Sequence, residues 1–168
     1  GIYKIVKEIV NILAKLTDPI YQSIYPDLAR LLANRKKLEA KQMAIKISFY
    51  LTFASLIFYG FFVLFGQQIV DLIFGGEFLY AYDISLVYFI AMFIAVISLP
   101  LYPMQHAFGF AKQAFKNQLK TTLVYIPILF ILTFYFELIG ASLAYIFYYL
   151  YITLLIIISL KKGFKGMN

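Results

Sequence analysis

The chain has no cysteine and a single histidine, His106, so disulfides and thiolate sites are excluded and no metal centre can be built from imidazoles. Charge is scarce. Only 14% of the 168 residues are charged, with 8 acids against 15 bases, while 63% are hydrophobic. With a positive mean hydropathy, that balance excludes an ordinary soluble domain and marks an integral membrane protein. Also missing are a nucleophile beside a base, paired catalytic carboxylates and a phosphate-cradling glycine loop; Gly75 and Gly76 read only as a turn. No enzyme activity, cofactor or metal is therefore expected. The formal charge of +7 falls in short clusters between apolar runs, which is a topology signal and argues against a nucleic-acid partner. There is no internal repeat of the solenoid kind and no low-complexity segment.

What is present is a succession of apolar runs, predicting an all-α polytopic transmembrane bundle of five helices in one unit, residues 1–168. The helices are expected at about 1–32, 47–65, 84–108, 121–136 and 141–160. Pro19 and Pro26 predict a bend in the first, with Asp18 and Tyr25 pushed from helical geometry. Residues 34–46, carrying Arg35, Lys36, Lys37, Lys41 and Lys46, read as a loop with basic ends, and Lys112, Lys116 and Lys120 as a second basic loop. The stretch Ile69 to Phe74 reads as a helix end or interfacial turn, stopped by Gly75 and Gly76. Pro100 and Pro103 should kink the third span, and a tight turn is expected at 137–140. Two small-xxx-small pairs, Ala91 with Ala95 and Gly140 with Ala144, would let helix backbones approach. Aromatic residues such as Tyr80 and Tyr82 fall where an interfacial belt is expected.

The first helix carries the candidate site. At 3.6 residues per turn, Lys4, Lys7, Glu8, Asn11, Lys15, Asp18 and Gln22 fall within an arc of about 100°, opposite Ile5, Ile9, Ile12, Leu16 and Ile20. A charged side chain near the bilayer centre costs ~2.5–3.5 kcal/mol, so such a stripe must face water or its own partners. Lys4 with Glu8 and Lys15 with Asp18 are spaced to pair; Lys7 is left over. Facing a wet lumen, Lys4, Lys7, Asn11, Lys15 and Gln22 would form a substrate-binding wall. Glu8 and Asp18 are the candidates for ion coupling, Asp18 because a helix break frees carbonyls beside it. The plainer alternative lays this helix flat on the membrane with its lysines among headgroups. His106 is a further titratable candidate, for which a polar residue marking a helix end is the simpler account.

All 15 bases except Lys4, Lys7 and Lys15 lie in three regions that alternate along the chain. The positive-inside rule puts residues 34–46, 112–120 and 161–168 in the cytoplasm, C-terminus included. A helix already formed at Gly1, with no start methionine, suggests a C-terminal piece of a longer protein.

Five segments, GIYKIVKEIVNILAKL at the start, YPDLARL (Tyr25 to Leu31), IFGGEF (Ile73 to Phe78), HAFGFAKQ (His106 to Gln113) and ELIGASLAY (Glu137 to Tyr145), together resemble the C-terminal half of a polysaccharide repeat-unit flippase. That family of O-antigen and capsule transporters belongs to the multidrug/oligosaccharidyl-lipid/polysaccharide exporter superfamily. The resemblance implies a multi-pass protein of the bacterial inner membrane with two helical bundles around a cationic cavity. Alternating access there would move an undecaprenyl-pyrophosphate-linked oligosaccharide to the outer leaflet. Lys4, Lys7 and Lys15 would be candidates to meet the pyrophosphate as point charges. The partners implied are the lipid-linked oligosaccharide, membrane lipids, and the missing N-terminal half or a second subunit. Alternatives are a multidrug/cation antiporter or a peptidoglycan-precursor flippase of the same superfamily, a non-transporting scaffold, and a glycan-assembly enzyme.

Overall fold

The computed structural model describes residues 19–76 and 80–165, and every regular element among them is helical. Residues 19–33 form α1. It is followed by α2 (Lys37–Phe74), α3 (Tyr80–Ser98), α4 (Leu101–Ala107) and α5 (Ala111–Lys165). Three stretches, Lys37–Phe74, Tyr80–Ala107 and Ala111–Phe164, are long and apolar enough to cross a membrane. The all-α class is thus present, but the expected five helices are not reproduced element for element.

The differences have local causes. Residues 34–46 are not a loop: α2 begins at Lys37 because Ala40, Met43, Ala44 and Ile47 make a helix-period apolar stripe. Ala40 and Ala44 are buried in the core, and Met43 and Ile47 pack against it. Nor is 112–120 a loop, since α5 already starts at Ala111. Residues 69–74 continue α2, anchored by fully buried Val70. Gly75 then ends the helix at φ 90°, its N–H donating to the Asp71 carbonyl at 2.8 Å. Tyr25 stays helical before Pro26, held by Ile24 and Leu28, which are inserted into the core on either side. Pro100 lies in the turn that separates α3 from α4, and Pro103 is accommodated inside α4.

In place of a turn over 137–140, only Glu137 leaves helical geometry (φ 50°, ψ −127°). There α5 doubles back as an αα-hairpin: Asn117 bonds Ser159, Gln118 bonds Tyr148, and the Tyr125 ring lies 5.5 Å from that of Tyr145. Gly140 makes the fold-back possible. A Cβ at that position would overlap the Leu132 carbonyl and come within 2.8 Å of the Thr133 nitrogen.

α2 runs antiparallel to α3, as Ser48 donating to the Ile97 carbonyl at 2.8 Å and Phe62 packed edge-on against Phe89 at 4.6 Å both require. One core joins Ile24 and Leu28 of α1 to Ala40, Ala44, Met104, Ile152, Ile156 and Leu160. A smaller cluster at the opposite end joins Ala81 and Ile84 to Phe74 and Leu138. Outward-facing side chains are strongly apolar: Leu72 and Phe134 are 88% and 82% exposed, as expected of surfaces turned to lipid.

Two helix ends share one capping motif. After α1, the N–H groups of Lys36 and Arg35 donate to Leu31 and Leu32 carbonyls; after α4, those of Phe110 and Gly109 donate to Gln105 and His106. The left-handed position is Arg35 (φ 59°) in the first and Gly109 (φ 78°) in the second. Gly109→Ala is therefore expected to destabilise the protein by about 1 kcal/mol, and Arg35→Gly to stabilise it by a similar amount. Reversible unfolding in detergent checks both signs.

Candidate functional site at the basic end of the bundle

The hairpin brings Lys112, Lys116 and Lys120, near the start of α5, back to Lys161 and Lys162 near its end. Packing of Ala40 and Ala44 against Ile156 and Leu160 sets Lys37 and Lys41 beside them. The basic clusters that counting assigned to a single membrane face therefore meet at one end of the fold. At the other end stand Asp71 in the last turn of α2, Asp83 in the first turn of α3, and Glu137 at the hairpin tip, around the Phe74–Ala81–Leu138 cluster.

Between the two arms of α5 lies a recess of about 330 Å³ lined by Gln113, Asn117, Lys120, Ser159 and Lys162 together with the apolar Phe110, Leu155 and Ile158. Its back is a directed chain of hydrogen bonds. Gln113 Nε2 donates to Asn117 Oδ1 at 2.9 Å, Asn117 Nδ2 to Ser159 Oγ at 3.1 Å, and Ser159 Oγ to the Leu155 carbonyl at 2.8 Å. Thr121 Oγ1 donates to the Asn117 carbonyl at 2.9 Å. Asn117 is only 2% exposed and Thr121 fully buried. Hydrogen bonds between polar side chains of the two arms tie the hairpin together near its open end. Here the buried amide and hydroxyls form a wall, and two ammonium groups stand in front of it. The two ammonium groups suit an anionic group.

On the opposite side of the same stretch of α5, by helical period, a larger trough of about 900 Å³ runs between α2, α4 and the end of α5. Lys37, Lys41 and Lys161 stand along it.

Of the sequence-derived candidates, Lys4, Lys7, Glu8, Asn11, Lys15 and Asp18 lie outside the described residues. Gln22 lies on α1 and is exposed. His106 occupies the last turn of α4, exposed, its carbonyl accepting from the Gly109 N–H at 2.8 Å. Among the described residues no three His, Asp or Glu side chains gather as a metal ion requires. The residues that sequence reasoning missed are Gln113, Asn117 and Ser159. The signal is present in the sequence: Gln113, Asn117 and Thr121 recur every four positions, one polar face of a helix entering an apolar run, but the lysines at 112, 116 and 120 point to a loop. No family model matches the chain, and neither does any curated protein or solved structure.

Proposed function

We propose that the chain is part of a membrane transporter that moves a lipid-linked, anionic oligosaccharide across the bacterial inner membrane by alternating access. Its basic end would face the cytoplasm. The observation that carries this reading is the recess inside the α5 hairpin, part apolar and part polar: a buried Asn117–Ser159 link with exposed Gln113, Lys120 and Lys162 around it. In helices otherwise turned to lipid, the exposed Gln113 amide and the two cations offer pyrophosphate and sugar hydroxyls contacts in place of those they lose on leaving water, while the buried, mutually bonded Asn117 and Ser159 hold the arms in place behind them. The packing of Ile24 and Leu28 beside Ile152 and Ile156 favours a first helix that enters the bundle over one lying on the bilayer surface. In this reading Lys4, Lys7, Asn11, Lys15 and Gln22 line the remainder of the path, with Glu8 and Asp18 as coupling groups. Undecaprenyl pyrophosphate is the carrier that the family resemblance implies.

The test is complementation of a flippase-null strain with the full-length protein. Wild type is expected to restore surface glycan, and a variant with Lys4, Lys7 and Lys15 all changed to Ser is expected to fail while still reaching the membrane. Full surface glycan from that variant would show that these three lysines are not part of the path, and no glycan from wild type would contradict the transporter reading.

A further inference from the structure

The 900 Å³ trough has a different chemistry from the recess. Its floor is apolar: Ala44, Met104 and Leu160 are 3%, 2% and 4% exposed. Its one polar residue besides lysine is Ser48, whose hydroxyl is already committed to the Ile97 carbonyl at 2.8 Å. The floor thus offers nothing to a sugar or a neutral polar ligand.

Along the edge stand Lys37, Lys41 and Lys161, with no acid in the lining. The acids nearest in sequence are engaged elsewhere, Glu39 with Lys36 at 3.0 Å and Asp27 with Arg30 at 3.1 Å. Among the described residues the three edge lysines have no ion pair. Two of them come from the start of α2 and one from the end of α5, so the cluster exists only in the folded bundle.

We infer that this trough holds an anionic glycerophospholipid, its phosphate among Lys37, Lys41 and Lys161 and an acyl chain along the apolar floor. Three clustered cations with no ion pair among the described residues attract an anion, and a floor of methyl and thioether groups favours a hydrocarbon on the same molecule. The volume falls in the roughly 300–1,000 Å³ range of sites that enclose small ligands. The trough is walled by Leu38 and Ile45, 76% and 58% exposed, so its rim belongs to the surface that bilayer lipids touch. A free phosphate would leave the floor unused. Because the trough lies on the far side of α5 from the polar recess, this lipid is a resident of the fold, whatever cargo the recess takes.

The full-length protein in neutral detergent, titrated with phosphatidylglycerol or phosphatidylcholine and read by native mass spectrometry, tests this directly. Phosphatidylglycerol is expected to be retained with a preference of about a hundredfold, the sum of three basic side chains at an anionic headgroup. The triple variant Lys37→Gln, Lys41→Gln, Lys161→Gln should lose the preference, and the triple Arg variant should keep it. Ala44→Phe, which fills the floor, should displace the lipid with the lysines intact. Equal retention of both lipids, a preference that survives in the Gln variant, or displacement by inorganic pyrophosphate alone but not by Ala44→Phe would overturn the proposal. None of these readings involves translocation, so failure here is distinct from failure of the transport function.

Discussion

Gly140→Val is expected to destabilise the protein by about 3 kcal/mol or more, the upper part of the range for forcing bulk into a packed interior. The arms of α5 touch at this point, and even the first carbon of a side chain would overlap the Leu132 carbonyl. Main chain cannot yield as a flexible side chain can, so relief requires the arms to part. Parting them separates Asn117 from Ser159, whose bond at 3.1 Å ties the arms together near their open ends. The expected phenotype is a sharp fall in folded protein by fluorescence-detected size exclusion, with a lowered melting temperature for what remains. Gly60→Ala is the control: it lies in the α2 interior with nothing within 4 Å of a new Cβ, and a gain of about 0.5–1 kcal/mol is expected there. Wild-type behaviour of Gly140→Val would contradict the hairpin geometry.

Neutralising both recess lysines, Lys120→Gln with Lys162→Gln, is expected to lower the translocation rate at least tenfold with little change in stability. Both side chains are exposed, and exposed charges contribute little to folding. On the anionic cargo of the proposed function their effect would be larger, about 1 kcal/mol for each cation near a membrane surface, which together exceeds a factor of ten. Asn117→Leu should behave differently. It strips Gln113 Nε2 of its acceptor and Ser159 Oγ of its donor from the other arm, leaving Ser159 only its bond to the Leu155 carbonyl, so stability and transport should fall together. The contrast separates charge that meets cargo from polarity that holds the arms. Surface glycan in a flippase-null background, normalised to membrane-inserted protein, reads the first; thermal unfolding reads the second.

The all-helical architecture was legible from composition and from the apolar runs, because little but helix can bury its own backbone polar groups within a segment in lipid. The end of α2 was legible too, since Gly75 adopts the positive φ that a glycine stop supplies. What misled was charge. Lys37, Lys41, Lys112 and Lys116 suggested loops, yet long cationic side chains ride the first turns of membrane helices with their stems on apolar surface. The helical period beneath them, Ala40, Ala44 and Ile47 in α2 and Gln113, Asn117 and Thr121 in α5, carried the correct assignment. The 137–140 turn was placed correctly but drawn too wide. A single residue with positive φ suffices when Gly140 lets two backbones touch. Pairing of Asn117 with Ser159 joins positions 42 residues apart, and no local pattern announces it. Its meaning emerges only once the hairpin closes.

Reconstituted translocation by the full-length protein tests the transport account most directly. Proteoliposomes loaded with a fluorescent polyprenyl-pyrophosphate oligosaccharide would be assayed for transfer between leaflets by the accessibility of the label to a membrane-impermeant quencher. The account predicts transfer by wild type and its loss in the Lys120→Gln, Lys162→Gln double variant. Absence of transfer by correctly folded wild type, or equal rates from both proteins, would contradict it.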